Sequence, residues 1–233
     1  MADFPYRTAL IVGAGSGLSA SLARLFSKSG MAVALAARRG AELAPLAKEI
    51  GGKAFTCDAS DRGQVGRLIE DTEAALGSLD VVVYNASYRT RGPFIELDPD
   101  EVAKALMVSA FAGFLVAQEA VKRMLPRGRG AVLFTGASAS VKGYAQSAPF
   151  AMGKFALRGL AQSMARELSP QGIHVAHVVI DGGIRSARRP DPTERPDSTL
   201  DPDAIAQTYL DLLRQDRSAW AWEIELRPWV EKF

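Results

Sequence analysis

Short apolar runs alternate with stretches of helical period along most of this 233-residue chain. Thr8–Val12, Ala32–Ala36, Lys53–Cys57, Val81–Tyr84, Ala131–Thr135 and His174–Ile180 read as strands. Between them, Leu18–Ser29, Ala41–Ile50, Val65–Leu76, Asp100–Met124 and Pro149–Leu168 read as helices. A strand with no polar face has to be covered on both sides. The alternation therefore predicts an α/β fold, a parallel sheet with helices on both faces. Sheets of this kind bind ligands outside the carboxyl ends of their strands. Asp203–Gln215 adds a further helical pattern. The closing "WAWEIELRPWVEKF" alternates Glu223, Glu225 and Arg227 with Trp222, Ile224 and Leu226, as an edge strand with one buried face would.

Composition narrows the class. Hydrophobic and charged contents of 48% and 23% are globular values, and the length suits one domain over residues 1–233. A net charge of +2 is too small to make nucleic acid or an anionic membrane the main partner. No run approaches the roughly 18 apolar residues needed to span a bilayer. "MADFPYRTALIVGAG" lacks the order of a signal peptide, and Cys57 is the only cysteine. These features predict a soluble, cytoplasmic protein. The stretch 185–203 holds Pro190, Pro192, Pro196 and Pro202 and few apolar residues. It reads as an exposed loop, either a substrate lid or a plain connection.

"LIVGAGSGLSASLARLF" sets Gly13, Gly15 and Gly17 between the first strand and the first helix. Glycine permits a tight turn and close approach to a phosphate, and the helix N-terminus offers free N–H groups. With Ser16 and Leu18 these residues form a candidate dinucleotide cradle. An NAD site normally carries an acid at the end of the second strand for the ribose hydroxyl. Here "ALAARRG" puts Arg38 and Arg39 there, and guanidinium groups suit a 2′-phosphate, so NADP(H) is preferred over NAD(H). A solvated basic helix start is the plainer alternative.

With these residues in place, the chain resembles a short-chain dehydrogenase/reductase over nearly its whole length. The family's Thr-Gly-x-x-x-Gly-x-Gly turn is read here from Val12 to Ser19, so the first Thr and last Gly are replaced. Asp58-Ala59 match the adenine-contacting position. Asn85-Ala86-Ser87 match the Asn-Asn-Ala-Gly stretch, with Tyr84 and Ser87 departing. Asp181-Gly182 stand where the family has Pro-Gly, and Ile184 and Ser186 fall where an Ile and a Thr meet the carboxamide. The resemblance implies a Rossmann-like, doubly wound parallel sheet of about seven strands. It also implies a homodimer or homotetramer packed on the two long helices.

The family's chemistry rests on Asn, Ser, Tyr and Lys. Carried over by position, Lys154 matches the Lys and Phe150 falls on the Tyr. Ala137 falls on the Ser, with Ser138 beside it, and Ser109 falls on the Asn. Lys154 would hold the nicotinamide ribose; the alternative is a lysine whose head snorkels to solvent. Phenylalanine has no proton to give, and general acid–base help is worth roughly 10²–10⁴-fold. Tyr144 folding back, or Ser138, Ser140 or Ser147 positioning a water, would be a rescue. Two functions stay open. One is an NADP(H)-dependent oxidoreductase with a degenerate tetrad, acting on a small carbonyl or alcohol. The other is a non-catalytic NADP(H)-binding sensor or partner-binding module.

The remaining candidates read as structural. His174 and His177, three apart on a strand, point to opposite faces and do not share a metal. Cys57 reads as a small core residue. Trp220, Trp222 and Trp229 would cover the cleft or meet a neighbouring subunit.

Overall fold

The computed structural model describes residues 5–186 and 189–231. Its strands are β1 (Thr8–Val12), β2 (Ala32–Ala37), β3 (Lys53–Thr56), β4 (Val81–Tyr84), β5 (Gly130–Thr135) and β6 (Ile173–Ile180). A short pair, β7 (Gly183–Ile184) and β8 (Thr199–Leu200), and the final β9 (Glu223–Leu226) follow. The main sheet has seven strands in the order β3-β2-β1-β4-β5-β6-β9, every neighbouring pair parallel. Parallel neighbours need crossovers, and the helices supply them. They are α1 (Leu18–Lys28), α2 (Ala44–Glu49), α3 (Arg62–Leu76), α4 (Pro99–Leu106), α5 (Ala112–Met124), α6 (Ala148–Leu168) and α7 (Pro202–Leu213).

Two apolar cores lie on the two faces of the sheet. On one face Val65, Leu68, Val116, Leu157 and Ala161 of α3, α5 and α6 pack on Leu10, Val82 and Phe134. On the other, Leu22, Phe26, Ile205 and Tyr209 of α1 and α7 pack on Ile11, Val83 and Val178. The strand order turns back on itself between β1 and β4. The carboxyl ends of those strands therefore flank an open crevice, where such folds seat their ligands.

Three expected elements differ in detail. The long helix expected over Asp100–Met124 is interrupted by a π-helical turn at Met107–Phe111. The wider turn is held from outside. The Tyr84 hydroxyl donates to the Val108 carbonyl, and the Ser109 hydroxyl bonds the Tyr88 backbone. π-turns of this kind gather at functional sites. The helix expected over Ala41–Ile50 starts as a 3₁₀ turn at Gly40–Leu43, where Gly40 lies against the Phe55 backbone. β9 is an edge strand, but both of its faces are used: Ile224 and Leu226 meet one core, and Glu223 faces α6 on the other. No helix among the described residues is long and apolar enough to cross a membrane.

Candidate functional site

The crevice begins at the turn after β1. Gly13 has φ +81°, and a Cβ there would overlap the Ala86 backbone. Only glycine lets this turn pass so close to the chain leaving β4. The amides of Gly13 and Ala14 both donate to the Ala36 carbonyl, at 2.9 and 3.0 Å, tying the turn to the end of β2. A Cβ on Gly15 or Gly17 would meet no atom within 4 Å, so the outer part of the turn opens onto free space. Ser16 is exposed there. α1 begins after Gly17 without a side-chain cap, so its first amides are available to an anion. Leu18 is buried and anchors the helix start in the core.

Ser19 accounts for one departure from the family turn. Its buried hydroxyl donates to the Gly13 carbonyl (3.3 Å) and accepts from the Asn85 side-chain amide (2.7 Å). The Asn85 backbone amide donates to Val12 (2.8 Å). Asn85 and Ala86 are half-buried across the crevice, and Ser87 is exposed at its rim. Sequence reasoning had Ser19 only as a replaced glycine. Its role as a strut needs the β1–β4 pairing to be visible.

At the adjoining strand ends, Arg38 is exposed and makes no ion pair among the described residues, whereas Arg39 reaches Glu42 at 3.3 Å. Asp58 accepts from the Ser60 hydroxyl (2.6 Å) and amide (3.0 Å). Those bonds, with Arg38 nearby, hold its carboxyl below the usual range. Ala59 is buried beside it.

Lys154 lies on α6, whose buried face also carries Gly153, Leu157 and Ala161. It is 3% exposed, and its ammonium donates to the Thr135 carbonyl at the end of β5 (2.7 Å). No carboxylate offsets the burial, which lowers its pKa to about 8. It therefore reaches the carboxyl edge of the sheet and does not snorkel. Phe150, one turn earlier, is half-buried, with its ring centre 5.9 Å from the Lys154 nitrogen and 4.8 Å from the Arg89 guanidinium.

The other expected tetrad positions are near but engaged. Ser109 is fully buried, and its hydroxyl lies 3.2 Å from the Tyr88 amide and 3.4 Å from the Tyr88 carbonyl. A Cβ on Gly153 would stand 2.8 Å from its own Cβ, so Ser109 packs directly on α6 beside Lys154. Ser138 is half-buried at the start of a 3₁₀ turn after β5. Ser140 is buried, accepts from the Ala137 amide (3.1 Å) and meets His177 (3.3 Å). Ser147 accepts from Arg91 (3.3 Å), and Tyr144 is 46% exposed, turned to solvent.

Beneath this turn runs a buried polar chain. His177 contacts Ser140 through Nε2 and Glu223 through Nδ1 (3.1 Å), and Glu223 accepts two bonds from Arg158 at 2.6 and 2.7 Å. Burial is the main cause of the His177 pKa falling to about 4, so the ring is neutral at pH 7. His174 faces the other way, stacked on Trp220 at 4.6 Å. Trp222 packs on the core, and Trp229 is 82% exposed. Cys57 is buried, and burial raises its thiol to about 11. Among the described residues no three His, Cys, Asp or Glu side chains gather as a metal site.

Ile184 pairs with Leu200 through β7 and β8, and Ser186 bridges to Arg189. Residues 187 and 188 of the proline-rich loop lie outside the described residues. The loop is folded back by Asp191, whose carboxylate accepts from the amides of Asp197 (2.8 Å) and Thr199 (3.3 Å). Asp181, in place of the family's proline, ties Lys142 (2.9 Å) and Arg227 (3.3 Å) together. The turn after β4 brings Tyr88, Arg89 and Arg91 to Ser109, Phe150 and Ser147 respectively, contacts that no spacing in the sequence indicates.

Comparison with known proteins agrees with this geometry. The family model described as short chain dehydrogenase matches residues 7–193. "Short chain aldehyde dehydrogenase 1" of Euphorbia lathyris is 31% identical over 180 residues, 72% of this chain but 61% of that relative's length. A solved short-chain dehydrogenase of Rhodopseudomonas palustris superposes with a TM-score of 0.84 at 36% identity, covering 96% of this chain and 99% of the other. A metagenomic short-chain oxidoreductase solved in complex with NADP gives a TM-score of 0.81 at 27% identity, covering 95% and 97%. A sheet in this order, a glycine turn at its reversal point and a family match across most of its length place the chain in the short-chain dehydrogenase family of oxidoreductases.

Proposed function

We propose that the protein is an NADP(H)-dependent oxidoreductase acting on a small carbonyl or alcohol, with the proton-donating phenol replaced by Phe150. The observation that carries this reading is the cradle at the β1–β4 reversal. Gly13 admits no side chain, Gly15 and Gly17 open outward, and the α1 amides are uncapped. A pyrophosphate fits that arrangement. Arg38, without an ion pair among the described residues, would take a 2′-phosphate together with Arg39. Asp58 and Ala59 would meet the adenine, Asn85, Ala86 and Ser87 would line the inner wall, and Ile184 would meet the carboxamide. The relative solved with NADP supports the dinucleotide.

Bound there, the nicotinamide supplies the hydride. Lys154 would donate to ribose hydroxyls from its buried seat. Phe150 would exclude water beside the reacting carbon but moves no proton, so Ser138 would polarise the substrate oxygen and a water it holds would give that oxygen the proton that completes the alcohol. Ser109 would fix the Tyr88 backbone that bounds the substrate side. Assembly as a homodimer or homotetramer through α4, α5 and α6 is part of the proposal, supported by the apolar side chains exposed there. So is a cytoplasmic setting, supported by a single buried cysteine.

A second reading, a non-catalytic dinucleotide-binding module, is favoured by Phe150 and by the Ser140 hydroxyl being committed to Ala137 and His177. Fluorescence titration and turnover assays separate the two. NADPH should bind about tenfold more tightly than NADH, with the difference lost in Arg38→Ala/Arg39→Ala. Phe150→Tyr with Ala137→Ser should raise carbonyl reduction by about 10²-fold or more. Dinucleotide binding without turnover in either protein selects the second reading. No change in emission or melting temperature with either dinucleotide overturns both.

A further inference from the structure

Positive charge converges on the Phe150 ring without an acid to meet it. The Arg89 guanidinium lies 4.8 Å above the ring centre, and the Lys154 ammonium lies 5.9 Å from it. Arg91 is anchored by Ser147, the residue immediately before α6. Arg189 leans on Gly183, so that a Cβ there would stand 2.8 Å from its guanidinium nitrogen. Burial, and then repulsion from Arg91 and Arg189, lowers the Arg89 pKa.

Several arginines elsewhere are matched to carboxylates. Arg24 holds Glu49, Arg127 and Arg129 hold Asp80, and Arg158 holds Glu223. Among the described residues Arg89, Arg91 and Arg189 have no acidic partner. Asp181, before β7, is taken by Lys142 and Arg227. Three like charges gathered at one cleft repel each other until an anion arrives. A guanidinium fork matches the two oxygens of a carboxylate or phosphate.

We propose that the substrate is an anion, a small carbonyl or hydroxyl compound whose carboxylate or phosphate is held by Arg89 and Arg91, with Arg189 reaching in from the loop after β7. The inference rests on the reading of Phe150 and Lys154 as the reactive end of the cleft. It makes charge the basis of selection: the neutral ester of the same compound loses the fork contact and leaves the cluster uncompensated.

The test uses binding, so that it does not depend on turnover. Benzoylformate, its methyl ester and phenyl phosphate are titrated by calorimetry against protein saturated with NADP⁺, which cannot reduce them. One or both anions should bind at least about tenfold more tightly than the ester, and the stronger of them identifies the group. The preference should shrink about three- to tenfold in Arg89→Gln and in Arg91→Gln. It should also fall as KCl is raised from roughly 20 to 300 mM, a readout that needs no variant. Equal affinity for acid and ester overturns the inference even where NADP⁺ binds normally. If NADP⁺ does not bind, the cofactor reading fails instead. The same titrations on the free protein then decide the anion site, an anion preference sustaining it and parity ending it.

Discussion

Lys154 bears an energetic cost that the fold does not relieve internally. Its ammonium has one carbonyl partner, and burial lowers its pKa from the ordinary 10.5 to about 8. Between those values the unfolded chain keeps a proton that the folded protein has released. Stability must therefore rise with pH from about 8 toward 10.5, and the strain on the folded state is fully present below 8. At about 1.4 kcal/mol per pH unit the climb amounts to about 3 kcal/mol. Cys57, raised from 9.0 to about 11, works in the opposite direction above pH 9. The difference between proteins is thus the clean measure. Urea unfolding at pH 7, 8 and 9 should show the dinucleotide-free wild type gaining on Lys154→Met as pH rises; parallel curves would contradict it. At this scale the sequence was legible where residue type and strand end suffice, as for the tight turn at Gly13. It was not legible for Ser19, Arg89 or Arg91, whose partners lie on other strands and loops.

β9 shows how an element at the edge of a sheet can support a turn it never touches. Its first residue, Glu223, receives Arg158 from α6 and His177 from β6, and His177 in turn meets the Ser140 side chain that holds the Ala137 amide. Glu223→Gln should cost about 1–3 kcal/mol in urea unfolding, since it weakens two charge-assisted bonds and leaves polar groups part-buried. A variant as stable as the wild type would show the chain to be ornamental. The strands were readable because buried parallel strands lack a polar face, and their ends fell within a residue or two. The break at Met107–Phe111 was not, because a π-turn leaves the apolar period nearly intact and depends on Tyr84 and Tyr88 from another element. Alternation in the last strand was visible, but not that Glu223 faces α6, since solvent and a neighbouring cation both suit a carboxylate.

Across the whole molecule, one flank remains apolar and open. Met107, Phe111, Phe114, Met152 and Phe155 are exposed on α5, α6 and the π-turn between α4 and α5, around a groove of about 500 Å³. The Phe111 and Phe114 rings lie 5.9 Å apart. A patch of this kind is characteristic of an interaction surface. With self-association through that flank, light scattering at micromolar concentration should give a dimer or tetramer for the wild type. Phe111→Asp should shift it to monomer with little change in the dinucleotide-binding crevice. A monomeric wild type would remove the proposal. Small residues along these helices, such as Ala103, Ala112 and Ala161, stand in the sequence, but they serve interior and exterior packing equally, so the open flank emerged only with the fold.

The order of synthesis adds a consequence of the sheet order. The strand that secures His177 is the last of the described strands, laid beside β6 and distant from the glycine turn after β1. A nascent chain emerges N-terminus first. The glycine turn can be shaped early, but the turn below Phe150 has no brace until residue 223 is free of the exit tunnel. The glycine turn can thus settle early, and the turn under Phe150 gains its brace late.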